Sequence, residues 1–205
     1  MGYIGIIDLK SNNSKSVLSA ITLLGFEAKF IDSVKGILNA DRIVVPGVGH
    51  IASIVKEMDE LELRDSMIKF ASKGNFILGI CLGQHLLGLG SEEDLSARTL
   101  GVLDFKTSKL PTKIEEKLRV PHVGWNSIEF DSPHPLLRSI SIGSDFYYSH
   151  SYAITSENHL TLATTEHSIR FTSVAGKENV LSVQFHPEKS QKNGAQLLTN
   201  FCELQ

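Results

Sequence analysis

Residues 76–89 constrain the fold of this chain more than any other stretch. Phe76-Ile77-Leu78-Gly79-Ile80 is a continuous apolar run, as expected of a strand buried on both faces, and it ends at Cys81. Gly79 and Gly83 flank the cysteine at minus two and plus two, and an amphipathic stretch starting at Gln84 follows without a linker. A strand that bends so sharply into a helix needs small residues on either side, because neighbouring elements pack against the bend. Such an elbow lifts a side chain out of the sheet and sets it at a helix N-terminus. There, free N–H groups and the helix dipole favour an anionic sulfur.

The rest of the N-terminal half alternates. Periodicity predicts a strand over 3–8, a helix over 14–24 stopped by Gly25, and a strand over 27–32. A short β-branched strand over 42–45 is closed by Pro46-Gly47; helices over 51–59 and 63–73 follow, the second ended by Gly74. The strand over 76–80 and a helix over 83–89 complete the pattern. This order predicts an α/β fold, a mostly parallel central sheet with helices on both faces. From Gly101 the pattern changes to strand-like runs at 102–108, 118–120, 127–130, 145–152, 160–166, 170–175 and 180–185, joined by short turns. These predict an antiparallel portion in the C-terminal half. A single helical turn within 133–140 and a closing helix over 190–204 complete one expected domain over 1–205.

Sites of open α/β sheets lie at the carboxyl ends of strands, where Pro46-Gly47, Cys81 and His186 all fall. His186-Pro187-Glu188 follows the run over 180–185. In an extended segment His186 and Glu188 leave the same face, and Pro187 stiffens the backbone between them. A carboxylate beside an imidazole fixes its tautomer and stabilises the imidazolium, the logic of a nucleophilic triad. Taken alone, Cys81 reads equally as a small buried apolar residue. The conjunction of elbow, histidine and glutamate, each at the end of a strand-like run, favours the catalytic reading.

Composition narrows the classes. The chain has 205 residues, 41% hydrophobic and 21% charged, with net charge −3. That suits one large core, and the absence of a basic block gives nucleic-acid binding no electrostatic support. No apolar run approaches a membrane span, and the start reads as a first strand rather than a signal peptide. Two cysteines make no disulfide framework, and a reactive thiol fits a reducing cytoplasm. Cys202, in the last helical stretch, reads as packing. The eight histidines show no metal-ligand spacing, so no metal is expected; His50, His134, His159 and His167 read as surface residues.

With these residues assembled, the chain resembles the class I glutamine amidotransferases, and among them the glutaminase subunits of imidazole glycerol phosphate synthases. The resemblance spans nearly the whole chain. It rests on Pro46-Gly47-Val48-Gly49, Gly79-Ile80-Cys81-Leu82-Gly83, Ser91-Glu92-Glu93, Pro121-His122-Val123-Gly124-Trp125-Asn126, His150-Ser151-Tyr152 and Val183-Gln184-Phe185-His186-Pro187-Glu188-Lys189-Ser190. It implies a flavodoxin-like arrangement, hydrolysis of L-glutamine and no cofactor. It also implies transfer of ammonia to a (βα)₈-barrel cyclase. By the same resemblance Cys81 is the nucleophile, His186 the acid and base, and Glu188 its orienting group. Backbone N–H groups of Leu82 and the Gly47, Val48, Gly49 segment hold the oxyanion. His150, Ser151 and Tyr152 match the glutamine pocket, together with Gln84 and His85. Asn13, Trp125, Asn126 and Lys189 match positions that face the partner.

Three places depart from the family's pattern. His85 stands where the family reads Gln, with Gln84 one position early. A histidine lacks the paired donor and acceptor of an amide. The first loop, Asp8-Leu9-Lys10-Ser11-Asn12-Asn13, lacks the family's two glycines, and His50-Ile51-Ala52 follows Gly49 where small or aromatic residues are usual. These departures fit an alternative member of the family, a paralogous glutaminase that supplies ammonia for amidated sugars of surface polysaccharides. A non-catalytic binding subunit that kept the fold is the other alternative.

Overall fold

The computed structural model describes residues 2–9, 13–112, 119–156 and 158–205. Its elements, in chain order, are β1 (Tyr3–Ile7), α1 (Ser14–Leu23), β2 (Ala28–Ile31), α2 (Val34–Asn39), β3 (Ala40–Gly47), α3 (Ile51–Glu60), α4 (Leu63–Ser72), β4 (Phe76–Cys81) and α5 (Leu82–Leu87). Then come β5 (Gly90–Ser91), β6 (Lys106–Lys109), β7 (His122–Ser127), β8 (Asp145–His150), β9 (Tyr152–Ala153), β10 (Thr161–Glu166), β11 (Arg170–Lys177), β12 (Val180–Val183) and α6 (Gln191–Glu203). Short 3₁₀ turns lie at Pro135–Leu137 and Pro187–Lys189.

The main sheet has the order β10-β11-β12-β4-β3-β1-β2. From β12 to β2 every pairing is parallel, whereas β10, β11 and β12 pair antiparallel. The expected mostly parallel sheet with an antiparallel portion is therefore what the chain forms. Its strands carry apolar runs because both faces are covered. On one face α1 and α6 bury Val17, Ile21, Leu197, Leu198 and Phe201. On the other, α3 and α4 bury Ile51, Ile54, Met58, Met67 and Phe70. The spacings within α1 and α3 are those of one helical face. Two small sheets, β5-β6-β9 and β7-β8, stand beside the main one. No helix among the described residues is long and apolar enough to cross a membrane.

Several boundaries differ from the sequence expectation. Residues 102–105 are not strand, because the amides of Val102 and Leu103 both bond to the carbonyl of Leu87 and close the end of α5. The strand predicted at 127–130 lies earlier, as β7. Its alternation is inverted, with Val123 and Trp125 pointing outward. Of the run predicted at 118–120, Leu118 lies outside the described residues, and Arg119 and Val120 are not strand. Lys10, Ser11 and Asn12 of the first loop also lie outside the described residues.

Candidate active site

The elbow forms as its sequence requires. Cys81 ends β4 with φ 54° and ψ −108°, a left-handed conformation that costs a non-glycine residue about 1–3 kcal/mol and persists only where its surroundings enforce it. The surroundings are three glycines. A Cβ on Gly83 would lie 1.8 Å from the carbonyl oxygen of Val45 in β3. One on Gly79 would lie 2.6 Å from the Gly83 carbonyl oxygen, and one on Gly47 would lie 2.8 Å from the Gly83 nitrogen. Strand β4, helix α5 and the end of β3 thus touch backbone to backbone.

His186 arrives from the neighbouring strand. Strand β12 pairs with β4 in the register Val183↔Ile80, so the chain leaving β12 passes the elbow. The His186 Nδ1 and Glu188 Oε1 atoms are 2.8 Å apart, with both side chains buried. Burial alone would lower the affinity of His186 for a proton. Hydrogen bonding and charge at Cys81 and Glu188 outweigh it and push the pKa up to about 10. Both partners thus favour the protonated ring. Asn13, expected at a partner surface, donates from Nδ2 to Glu188 Oε1 at 2.8 Å.

These groups open on a cavity of about 270 Å³, near the lower end of small-molecule sites. Val48, Gly49, Cys81, Leu82, His85, His150, Ser151, Tyr152, His186 and Lys189 line it. Gly47 does not; its contribution is the close approach to Leu82 and Gly83. Gln84 is also absent from the lining: one step along α5 rotates its side chain by about 100°, and its Nε2 donates to Ser182 within the sheet. The sequence reading of Gln84 as a pocket residue is corrected accordingly. His85 does reach the cavity wall, with Nε2 2.9 Å from Gln184 Oε1 and the Tyr152 backbone close enough to favour the ring's protonated form. Burial pushes its pKa down to about 4, so the ring is neutral.

The wall formed by His150, Ser151 and Tyr152 is braced from behind. Antiparallel β7 and β8 pair His122 with His150. His150 Nδ1 donates to the Tyr152 carbonyl at 2.9 Å, so its Nε2 must accept from His122 Nδ1 at 3.0 Å. His122 Nε2 in turn accepts from Asn126 Nδ2 at 3.3 Å. Burial lowers both histidines, His122 to about 4, which keeps this chain of bonds neutral. His167, read as a surface residue, stacks on His122 at 4.1 Å. Asn126, expected at the partner surface, spends its amide on His122, the Glu166 carbonyl and the Ser127 amide. Trp125 is 48% exposed and packs edge-on to Tyr147, whose ring lies 5.8 Å from the Lys189 ammonium.

Two further side chains lie at the site, residues the sequence reading quoted within motifs without assigning them a role. Glu93 lines the cavity while Oε2 accepts from the Ile51 amide at the start of α3. Gln184 sits behind the sulfur, with Nε2 3.8 Å from Cys81 Sγ. A larger depression of about 940 Å³ lies elsewhere, lined by Arg42, Arg138 and Cys202 among others. Burial pushes the Cys202 thiol up to about 12, which leaves it inert as a nucleophile.

Comparison with known proteins places these residues in a family. The glutamine amidotransferase class-I profile matches residues 5–204. The imidazole glycerol phosphate synthase subunit HisH of Buchnera aphidicola subsp. Acyrthosiphon pisum is 40% identical, over 98% of this chain and all of the relative. The HisH subunit of Moorella thermoacetica is 38% identical over all of this chain and 96% of its own length. A crystal structure of a glutamine amidotransferase superposes with a TM-score of 0.79 at 20% identity, covering 98% of both chains, a likeness of fold.

Proposed function

This chain belongs to the class I glutamine amidotransferases, and from that premise we propose that it is the glutaminase of an imidazole glycerol phosphate synthase, hydrolysing L-glutamine and passing the ammonia to a (βα)₈-barrel cyclase. The observation that carries the mechanism is a strained cysteine and an imidazole on the wall of one small cavity, the ring 2.8 Å from a buried carboxylate.

Cys81 attacks the side-chain carboxamide carbon. The oxyanion is received by backbone N–H groups of Leu82 and the Val48–Gly49 turn, which line the same cavity. His186 gives its proton to the departing nitrogen, leaving a thioester on Cys81. The ring then takes a proton from water as the water attacks, and glutamate leaves. Glu188, fixed by Asn13, keeps the Nδ1 side of the ring occupied, so that the other nitrogen serves both steps. Glu93, a carboxylate on the cavity wall, suits the substrate's α-ammonium group.

Ammonia released into water at neutral pH is mostly ammonium, which is no nucleophile, so the product needs a closed path to its acceptor. Exposed Val123 and Trp125 on β7, with Lys189 at the cavity, supply an apolar and cationic face for a partner beside that site. The names of the relatives support an imidazole glycerol phosphate synthase over a polysaccharide enzyme.

The test is Cys81→Ala in the complex with the cyclase. Synthesis from glutamine is expected to vanish while synthesis from ammonium salts persists. Loss of both, or survival of the glutamine reaction, contradicts the proposal.

A further inference from the structure

The pairing of β12 with β4 brings the chain to the elbow, but it ends at Val183, three residues short of His186. Gln184 still bonds to the main sheet, its N–H donating to the Ser173 carbonyl at 2.8 Å. His186 turns instead to β8, a strand of the separate β7-β8 sheet, and its N–H donates to the Tyr147 carbonyl at 2.8 Å. Ser190 closes the other side. Its Oγ accepts from the Tyr147 N–H at 2.9 Å and donates to the His186 carbonyl at 2.6 Å. A backbone N–H only donates and a carbonyl only accepts, so the single hydroxyl hydrogen has one destination, His186. The three bonds form a closed ring that holds both backbone groups of His186 and both of Tyr147.

Ser190 is buried and stands at the N-cap of α6. A serine there ordinarily accepts from an N–H of the helix's first turn, yet Ser190 makes no such bond. A serine can also bond back to the carbonyl four residues earlier, which describes its bond to His186. The bond from Tyr147, 43 positions away, has no place in that local pattern. The start of α6 presses on the same turn: a Cβ on Gly194 would lie 1.9 Å from the Pro187 carbonyl oxygen and 2.9 Å from the Ser190 Cβ.

We propose that Ser190 is a positioning residue for the reaction, whose hydroxyl clamps the backbone of His186 to β8 and thereby sets where the imidazole meets the sulfur and the substrate. The main sheet places the nucleophile, and a side chain at the start of the closing helix places the base. The proposal rests on the reading of His186 as acid and base, but one arm of its test needs no glutamine turnover, so the two ideas fail separately.

The first arm uses the complex with the cyclase. Ser190→Ala is expected to lower kcat for glutamine-dependent synthesis on the order of tenfold, with KM for glutamine within about threefold and ammonium-dependent synthesis unchanged. Ser190→Thr keeps a hydroxyl that both donates and accepts, and is expected to return to within about threefold of the unaltered complex. Ser190→Asp is as good a helix cap, but its carboxylate has no hydrogen for the His186 carbonyl, so it is expected to stay as low as Ser190→Ala. Where Ser190→Ala does not fold, Ser190→Cys keeps the size and weakens both bonds. The second arm follows the His186 ring nitrogens by NMR in the full chain carrying ¹⁵N-labelled histidine, assigned by the signals that His186→Asn removes. One set is expected in the unaltered chain, and a shifted or split set in Ser190→Ala. An unchanged kcat, a loss carried wholly by KM, recovery in Ser190→Asp, or unchanged His186 signals each overturn the assignment. An unaltered complex that turns over no glutamine overturns the proposed function, and the NMR arm still decides on the clamp.

Discussion

Gly83→Ala tests whether the elbow is a set of backbone contacts rather than a flexible loop. The added Cβ would stand 1.8 Å from the Val45 carbonyl oxygen and 3.0 Å from its carbon. Non-bonded atoms settle at about 3.5–4.0 Å, so α5 and β3 must part by more than about 1 Å. Neither partner can rotate away. Val45 is held in register opposite Gly79 of β4, and Gly83 lies in the first turn of α5, immediately after the nucleophile. Overpacking of this kind costs about 1–3 kcal/mol, and more where only backbone can yield. For a chain of this length that lowers the melting temperature by roughly 5 °C. The same displacement reaches the sulfur and the Leu82 N–H, and a misplacement of about 1 Å costs on the order of 100-fold in rate. We expect glutamine hydrolysis in the complex to fall about 100-fold, with ammonium-dependent synthesis spared. Gly90→Ala is the control, because its Cβ would meet nothing within 4 Å. Gly83→Ala turning over glutamine within threefold of the unaltered enzyme, with an unchanged melt, would refute the account of the elbow.

The strain at Cys81 has its own signature: Cys81→Gly and Cys81→Ala should both be inactive, but the glycine variant should melt higher, because glycine adopts φ 54° without penalty. A lower melt for Cys81→Gly would show that the conformation is not strained. Acid stability follows from the buried neutral histidines. His85, held near pKa 4 in the fold and near 6.5 when unfolded, makes the unfolded chain the stronger proton binder between those values. Stability should therefore fall as pH drops from 6.5 toward 4, by about 2 kcal/mol at pH 5 from His85 alone, with His122 and His150 acting in the same direction. Thermal melts at pH 7.5 and pH 5 check this, and a flat or rising trend contradicts it.

What the sequence revealed, and what it hid, divides by the range of the interactions. The elbow was legible because its causes are local: an apolar run, a cysteine and two glycines within five residues. The His186–Glu188 pair was legible for the same reason. Helix α2 was not, since only Ile37 of its six residues is buried and Gly36 interrupts it. Strand β7 was displaced because its outward residues, Val123 and Trp125, are apolar, which inverts the pattern by which strands are read. The bracing of His150 by His122 depends on antiparallel pairing across 28 positions, information that no local window holds. The resemblance matched Asn13 to a partner-facing position; its bond to Glu188, 175 positions away, is a long-range contact that no local window holds.

Rigidity is likewise divided within the site. The proposed nucleophile ends β4, and its proposed base follows three residues after the end of the adjacent β12, so their separation depends on the register Val183↔Ile80, with Gly47↔Cys81 holding the other side. Such spacing resists change, because slipping the register would turn buried side chains outward. The oxyanion segment is held differently. Val48 and Gly49 lie beyond the end of β3, and Gly49 has φ +96°, a conformation open to glycine. The segment proposed to aim an N–H at the developing charge thus lies outside the strand pairing that holds Cys81. A single missing oxyanion donor lowers a rate by about 10²–10³. Control by a partner therefore acts most economically on the Val48–Gly49 turn. In the proposed complex, a partner that engages Lys189 would meet a residue of the same cavity lining as Val48 and Gly49, and so could act on that turn while the sheet holds the sulfur.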